Sequence, residues 1–206
     1  MRGRWAGRWS WIVAVLAGLC VAACNTVAPN RLSLADTAQL RFNGIEVRTA
    51  GAAINWTSAE DDYLRSRNLS LTNPALVQTP EAQGYIRDLA GRRLKAALER
   101  ALASRPEGVR PARVVVTLVK VDIPSAAQRI LIGGSPTVRA NIEIVDARTG
   151  AVLSTYSGDQ GVQAAGQGVL GVVVDGALTA GGMDDLFDRA ANDFARRFKR
   201  WLTPEA

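Results

Sequence analysis

Residues 112–123 read Ala-Arg-Val-Val-Val-Thr-Leu-Val-Lys-Val-Asp-Ile, with Val114, Val116 and Leu118 on one face of an extended chain and Val115, Val119 and Val121 on the other. A strand that is β-branched and apolar on both faces is stable only with neighbours on both edges and cover above and below, so it belongs at the centre of a sheet. The remaining segments must supply that cover.

Strands come from three places. In residues 40–49, Leu40 and Phe42 alternate, and the phase resumes at Ile45, Val47 and Thr49 after Asn43-Gly44, which implies a bulge at the glycine. Val138, Ala140, Ile142 and Ile144 alternate with polar residues, and Asp146 to Gly150 supply a turn before residues 151–157 run back as a hairpin partner. Residues 129–132 read as a further short strand, whereas 51–78 show no sustained period and read as mostly irregular.

Two segments have helical period. Thr79-Pro80-Glu81 offers a capping hydroxyl, a first-turn proline and an acid near the positive end of the dipole. Ile86, Leu89, Ala90, Leu94, Ala97, Leu98, Ala101 and Leu102 then recur at threes and fours, to about residue 103. Residues 183–202 place Leu186, Phe187, Ala190, Phe194, Phe198, Trp201 and Leu202 on one face. Asp184, Asp185 and Asp188 open this helix and Arg196, Arg197, Lys199 and Arg200 close it, as the macrodipole favours. The expected fold is α+β: an antiparallel or mixed sheet of four to five strands packed by two amphipathic helices on one face.

The N-terminus has a different character. Arg2, Arg4 and Arg8 precede an uncharged, mostly apolar run over residues 9–23, the layout of a secretory signal and too short to span a bilayer comfortably. Val21-Ala22-Ala23-Cys24 then resembles a bacterial lipobox. The resemblance implies cleavage between Ala23 and Cys24 and lipidation of Cys24, with residues 1–23 a signal peptide, 24–39 a lipidated N-terminus and tether, and 40–206 one envelope domain. Acyl chains buried in the bilayer would make the membrane the first partner. Asn25 after the cysteine implies the outer membrane, on its periplasmic face, by likeness to Gram-negative lipoproteins.

Processing changes the charge balance. The full chain carries 25 basic and 19 acidic residues, a formal +6; without the three arginines of the signal it is +3. No histidine occurs, which excludes histidine-based catalysis and metal sites, and neither Cys20 nor Cys24 would remain as a thiol. A charge near +3 without aromatic and basic residues interleaved gives no reason to expect nucleic acid. Gly166-Gln167-Gly168-Val169-Leu170-Gly171 matches a dinucleotide loop in letters, but the strand before it ends early and no helix pattern follows directly, so no cofactor is expected. Glu60-Asp61-Asp62 and Asp184-Asp185 lack the spacing of a calcium loop, no Ser-x-x-Lys occurs, and no metal site or enzyme is expected. The glycine-punctuated apolar stretch 160–174 offers Val169, Leu170, Val172 and Val173 as contacts for a partner or lipid.

The lipobox, Arg129-Ile130-Leu131-Ile132-Gly133-Gly134, and Ile142 to Gly150 with its returning strand resemble small Gram-negative lipoproteins of unknown function. They are also similar to the periplasmic domains of curli-secretion and Tol-type proteins. The resemblance implies a compact α/β envelope domain and no catalytic residues. The expected function is a lipid-anchored, non-catalytic binding or scaffolding protein acting on another envelope protein; the alternative is a lipid- or small-ligand-binding accessory of envelope transport.

Overall fold

A computed structural model describes residues 28–104, 108–131, 133–161 and 184–204. Its centre is the expected one. Strand β3 (Arg110–Ile123) pairs on one edge with β4 (Thr137–Asp146), which pairs in turn with β5 (Val152–Gly161), both antiparallel. On its other edge β3 carries two strands in series, both parallel to it: β1 (Leu40–Arg48) beside residues 110–117 and β2 (Ala53–Trp56) beside residues 120–123. The five-stranded sheet is therefore mixed.

Parallel pairing of β1 and β2 with β3 requires the chain to travel back between them. Helix α3 (Pro80–Leu102) makes that return, and its 23 residues span about 34 Å at 1.5 Å each. Thr79 caps it by accepting the Ala82 N–H, and Ile86, Ala90, Leu94, Ala97 and Leu98 are buried on the sheet. Gly91 permits close approach to β1: a Cβ there would stand 2.8 Å from Cγ2 of Thr49. The last helix, α5 (Asp184–Leu202), packs against α3, β4 and β5 through Phe187, Ala190, Phe194, Phe198 and Leu202. Both helices and the inner sheet residues share one core, in which Trp56 stacks on Phe187 with centroids 4.3 Å apart.

The bulge expected at Gly44 is present. Pairing with β3 shifts between Phe42 and Ile45, and Gly44 has φ 149°. A second irregularity, between Leu118 and Lys120, corrects the reading of β3. One extra residue there turns Val121 into the core beside Val114, Val116 and Leu118, and leaves Val119 exposed. On the far face Val115 and Val145 are buried, but Arg113, Thr117, Asn141, Thr155 and Ser157 are exposed. That face is half solvated, as antiparallel sheets allow.

Three further expectations are corrected. Residues 51–78 are not mostly irregular: they form β2, helix α2 (Thr57–Ser66) and a 3-10 turn (Pro74–Gln78). Residues 129–132 do not open as a strand; Ala126–Leu131 is a short helix, α4. Its start is boxed, with the Ser125 N–H donating to Gln128 Oε1 at 2.8 Å and the Gln128 N–H to Ser125 Oγ at 3.2 Å. The tether is also shorter than expected, because residues 28–39 lie on the domain and include helix α1 (Leu34–Ala38).

Candidate functional site

The strand starts of β1, β3 and β5 and the end of β4 meet at one end of the sheet, by the pairings Leu40 with Arg110, Ala112 with Asp146 and Val145 with Val152. The C-terminus of α5 reaches the same end, and there the described chain begins. The Trp201 indole N–H donates to the Ala28 carbonyl at 2.7 Å. Asn30 bridges two elements: its amide donates to the Leu202 carbonyl at 3.4 Å, and its Oδ1 accepts the Ser154 hydroxyl at 2.8 Å. The Arg31 N–H donates to the same hydroxyl at 3.3 Å, and Leu32 packs on the core.

Local sequence explains this docking. Ser33 and Asp36 form a capping box that starts α1, turning Thr37 into the protein before β1 begins. Tyr156, Phe198 and Trp201 pack ring against ring, with centroids 5.2 to 5.9 Å apart, and hold the indole in place. Each Asn30 bond fixes the segment to a different element, so residues 28–32 cannot swing without breaking several contacts together.

At the same end of α5 lies a shallow hollow lined by Asp193, Arg196, Lys199, Arg200 and Thr203, its cations turned about 100–160° around the helix from Trp201. Asp193 accepts from Arg196 and from Arg197, each at 2.9 Å, and Lys199 donates to Ser104 Oγ at 2.8 Å. Among the described residues no carboxylate pairs with Lys199 or Arg200. Among the described residues, the last two turns of α5 thus carry Arg196, Arg197, Lys199 and Arg200, of which Arg196 and Arg197 pair with Asp193.

The same end holds the most perturbed carboxyl among the described residues. Asp146 accepts the backbone N–H groups of Thr149 and Arg148, at 3.0 and 2.9 Å, and the Arg110 guanidinium at 2.9 Å. The Thr149 amide, then Arg110 and the Arg148 amide, lower its pKa to about 2. These are turn-forming contacts, and they place a buried carboxylate where it closes the β4–β5 turn. Glu60, on α2, is shifted the other way, raised first by burial and then by the charge of Asp61. Its neighbours Asp61 and Asp62 pair with Arg65 on the same helix.

Ala23, Cys24, Val169, Leu170, Val172 and Val173 lie outside the described residues, as does the glycine run 166–171. No helix among the described residues is long and apolar enough to cross a membrane. Ala28, Asn30 and Trp201 were not singled out from sequence as a joined group; the mark available was the Ser33-x-x-Asp36 capping pattern, which ends a free tether.

No protein-family model matches the chain, and no curated protein matches it by sequence. Similar solved structures include a variant of PelC from Paraburkholderia phytofirmans, itself a dodecamer, at 14% identity and TM-score 0.43, over 88% of this chain and all of that one. A Xanthomonas campestris protein of the DUF330 family is similar at 10% identity and TM-score 0.38, over 80% of this chain and 83% of its own. A Caulobacter crescentus protein described as a "putative lipoprotein" has 20% identity and TM-score 0.32, over 55% of this chain and 80% of its own. At these scores the likenesses assign neither a family nor an activity.

Proposed function

We propose that the protein is a lipid-anchored component of the bacterial envelope, cleaved before Cys24, acylated there, and acting by binding another envelope protein rather than by catalysis. The observation that carries this reading is the N-terminal order of Arg2, Arg4 and Arg8, an uncharged run, and Val21-Ala22-Ala23-Cys24. The attachment of residues 28–32 supports it, because a segment fastened at its far end passes a membrane anchor's position directly to the domain. Asn25 favours the periplasmic face of the outer membrane. A folded domain with a half-solvated sheet face suits contact with another protein.

The N-terminal peptide of the mature protein should carry acyl chains on Cys24, and Cys24→Ala should leave the chain uncleaved or unlipidated. Mass spectrometry of that peptide, with membrane fractionation of both proteins, makes the test. Mature membrane-bound protein without acyl chains would overturn the anchor. Cross-linking in intact cells should recover one stoichiometric envelope protein; only the bare chain, where a known envelope complex is captured in parallel, would overturn the binding role.

A further inference from the structure

We infer that the basic end of α5 rests on the anionic phospholipid headgroups of the membrane that holds the anchor, so that the domain has one fixed orientation on the bilayer. The inference rests on the reading of Cys24 as the lipidated residue. Only Asn25, Thr26 and Val27 separate Cys24 from Ala28, the first residue fastened to the fold. Even fully extended, that stretch reaches about 13 Å at about 3.3 Å per residue. The free tether of 24–39 would have reached several times further, and the domain could then have turned any face to the lipid.

The short reach selects one end of the domain. Ala28 is held by Trp201 and Asn30 by the Leu202 carbonyl, so the anchor leaves from the last turn of α5. Arg196 lies about 8 Å along the helix axis from Trp201, at 1.5 Å per residue. Added to the fully extended linker of about 13 Å, that puts Arg196 at most about 21 Å from Cys24 along this path, between two and three Debye lengths of about 8 Å at physiological salt, and any bend in the linker brings Arg196, Lys199 and Arg200 nearer. Arg196 and Arg200 are exposed. Asp193, the one carboxylate among the described residues lining the hollow, already serves Arg196 and Arg197, which leaves Arg200, and the N–H donors of Lys199 not given to Ser104, for external anions. Guanidinium and ammonium groups bind phosphodiester oxygens through charge-assisted hydrogen bonds, and each cation near an anionic surface adds to the attraction. The macrodipole explains why cations are tolerated at this helix end. It does not explain why the anchor enters at the same helix end.

Lys95, Lys120 and Lys199 are the only lysines in the chain, and they make the experiment simple. The lipidated protein is reconstituted into vesicles of phosphatidylcholine alone, or of phosphatidylcholine with phosphatidylglycerol, and labelled with an amine-acylating reagent. Peptide mass spectrometry reads each lysine. Lys199 labelling should fall several-fold in the phosphatidylglycerol vesicles, recover at high salt, and leave Lys95 and Lys120 unchanged as internal references. The double variant Arg196→Gln, Arg200→Gln should lose most of the difference while Lys95 and Lys120 label as before, which checks its fold. Equal Lys199 labelling in both vesicles, with protein that floats with each, would overturn the orientation but leave the anchor standing. Protein that floats with neither, and whose N-terminal peptide lacks acyl chains, would overturn both.

Discussion

Asp146 shows how much one side chain can be asked to do. It receives two backbone amides of its own turn and the guanidinium of Arg110 from the neighbouring strand, and so joins the start of β3 to the end of β4. Its carboxyl titrates near 2 in the fold against 3.8 for the free group. Between those values the unfolded chain binds more protons than the native one. The stabilisation from Asp146 is therefore complete above about pH 4 and is lost as pH falls toward 2. Asp146→Asn keeps an oxygen for the turn amides but gives up the charge that Arg110 pairs with. Urea unfolding across a pH series should show the variant less stable at pH 7, with the gap to the native chain closing between about pH 4 and pH 2. A gap that is constant with pH would mean that the turn, and not the ionised carboxylate, carries the effect.

Among the elements, those of many turns or clean alternation were readable in advance: α3, α5, β3, β4 and the bulge of β1. Gly44 marks its bulge by composition, because φ near 149° suits glycine. The bulge of β3 has no such mark, since Val119 fits the strand as well as its neighbours do, and only pairing with β4 reveals the slip. The short helices failed for another reason. A helix of five or six residues shows barely more than one period, so the short apolar run Ile130-Leu131-Ile132 reads as well as a strand as it does as a helix. Both α1 and α4 were nevertheless marked by a serine with an acid or amide three residues later, a local hydrogen-bond pattern independent of period. Ala23, Cys24 and the residues around Val169 remain readings of sequence alone. Trp201→Phe tests the docking that the capping pattern signals. It removes the bond to the Ala28 carbonyl while retaining an aromatic ring against Tyr156 and Phe198. Hydrogen exchange should quicken at Asn30 to Thr37 and stay slow in β3 and α3, with a loss of about 1 kcal/mol in global stability. Uniform quickening everywhere would show instead that Trp201 serves the core.

The described molecule is built on one main core, from Leu40 on β1 to Leu202 on α5, with a small satellite of Tyr63, Leu64, Val77 and Ala82 beneath α2. Phe187 belongs to the centre of it, fully buried and stacked on Trp56. Phe187→Ala should cost about 3–5 kcal/mol and shift the midpoints of circular dichroism and tryptophan fluorescence together. Midpoints that separate would mean that α5 and the sheet unfold independently. The sheet's edge formed by β1 and β2 has a consequence at high local density. Continuous pairing with β3 there comes in pieces, Leu40–Phe42, Ile45–Arg48 and Ala53–Trp56, broken by a bulge and by a turn at Gly51. Arg41, Glu46 and Arg48 add charge along it. A neighbouring copy crowded onto the same surface finds no long straight run of free backbone to extend, so this edge resists strand-by-strand polymerisation and can be packed densely without seeding a fibre.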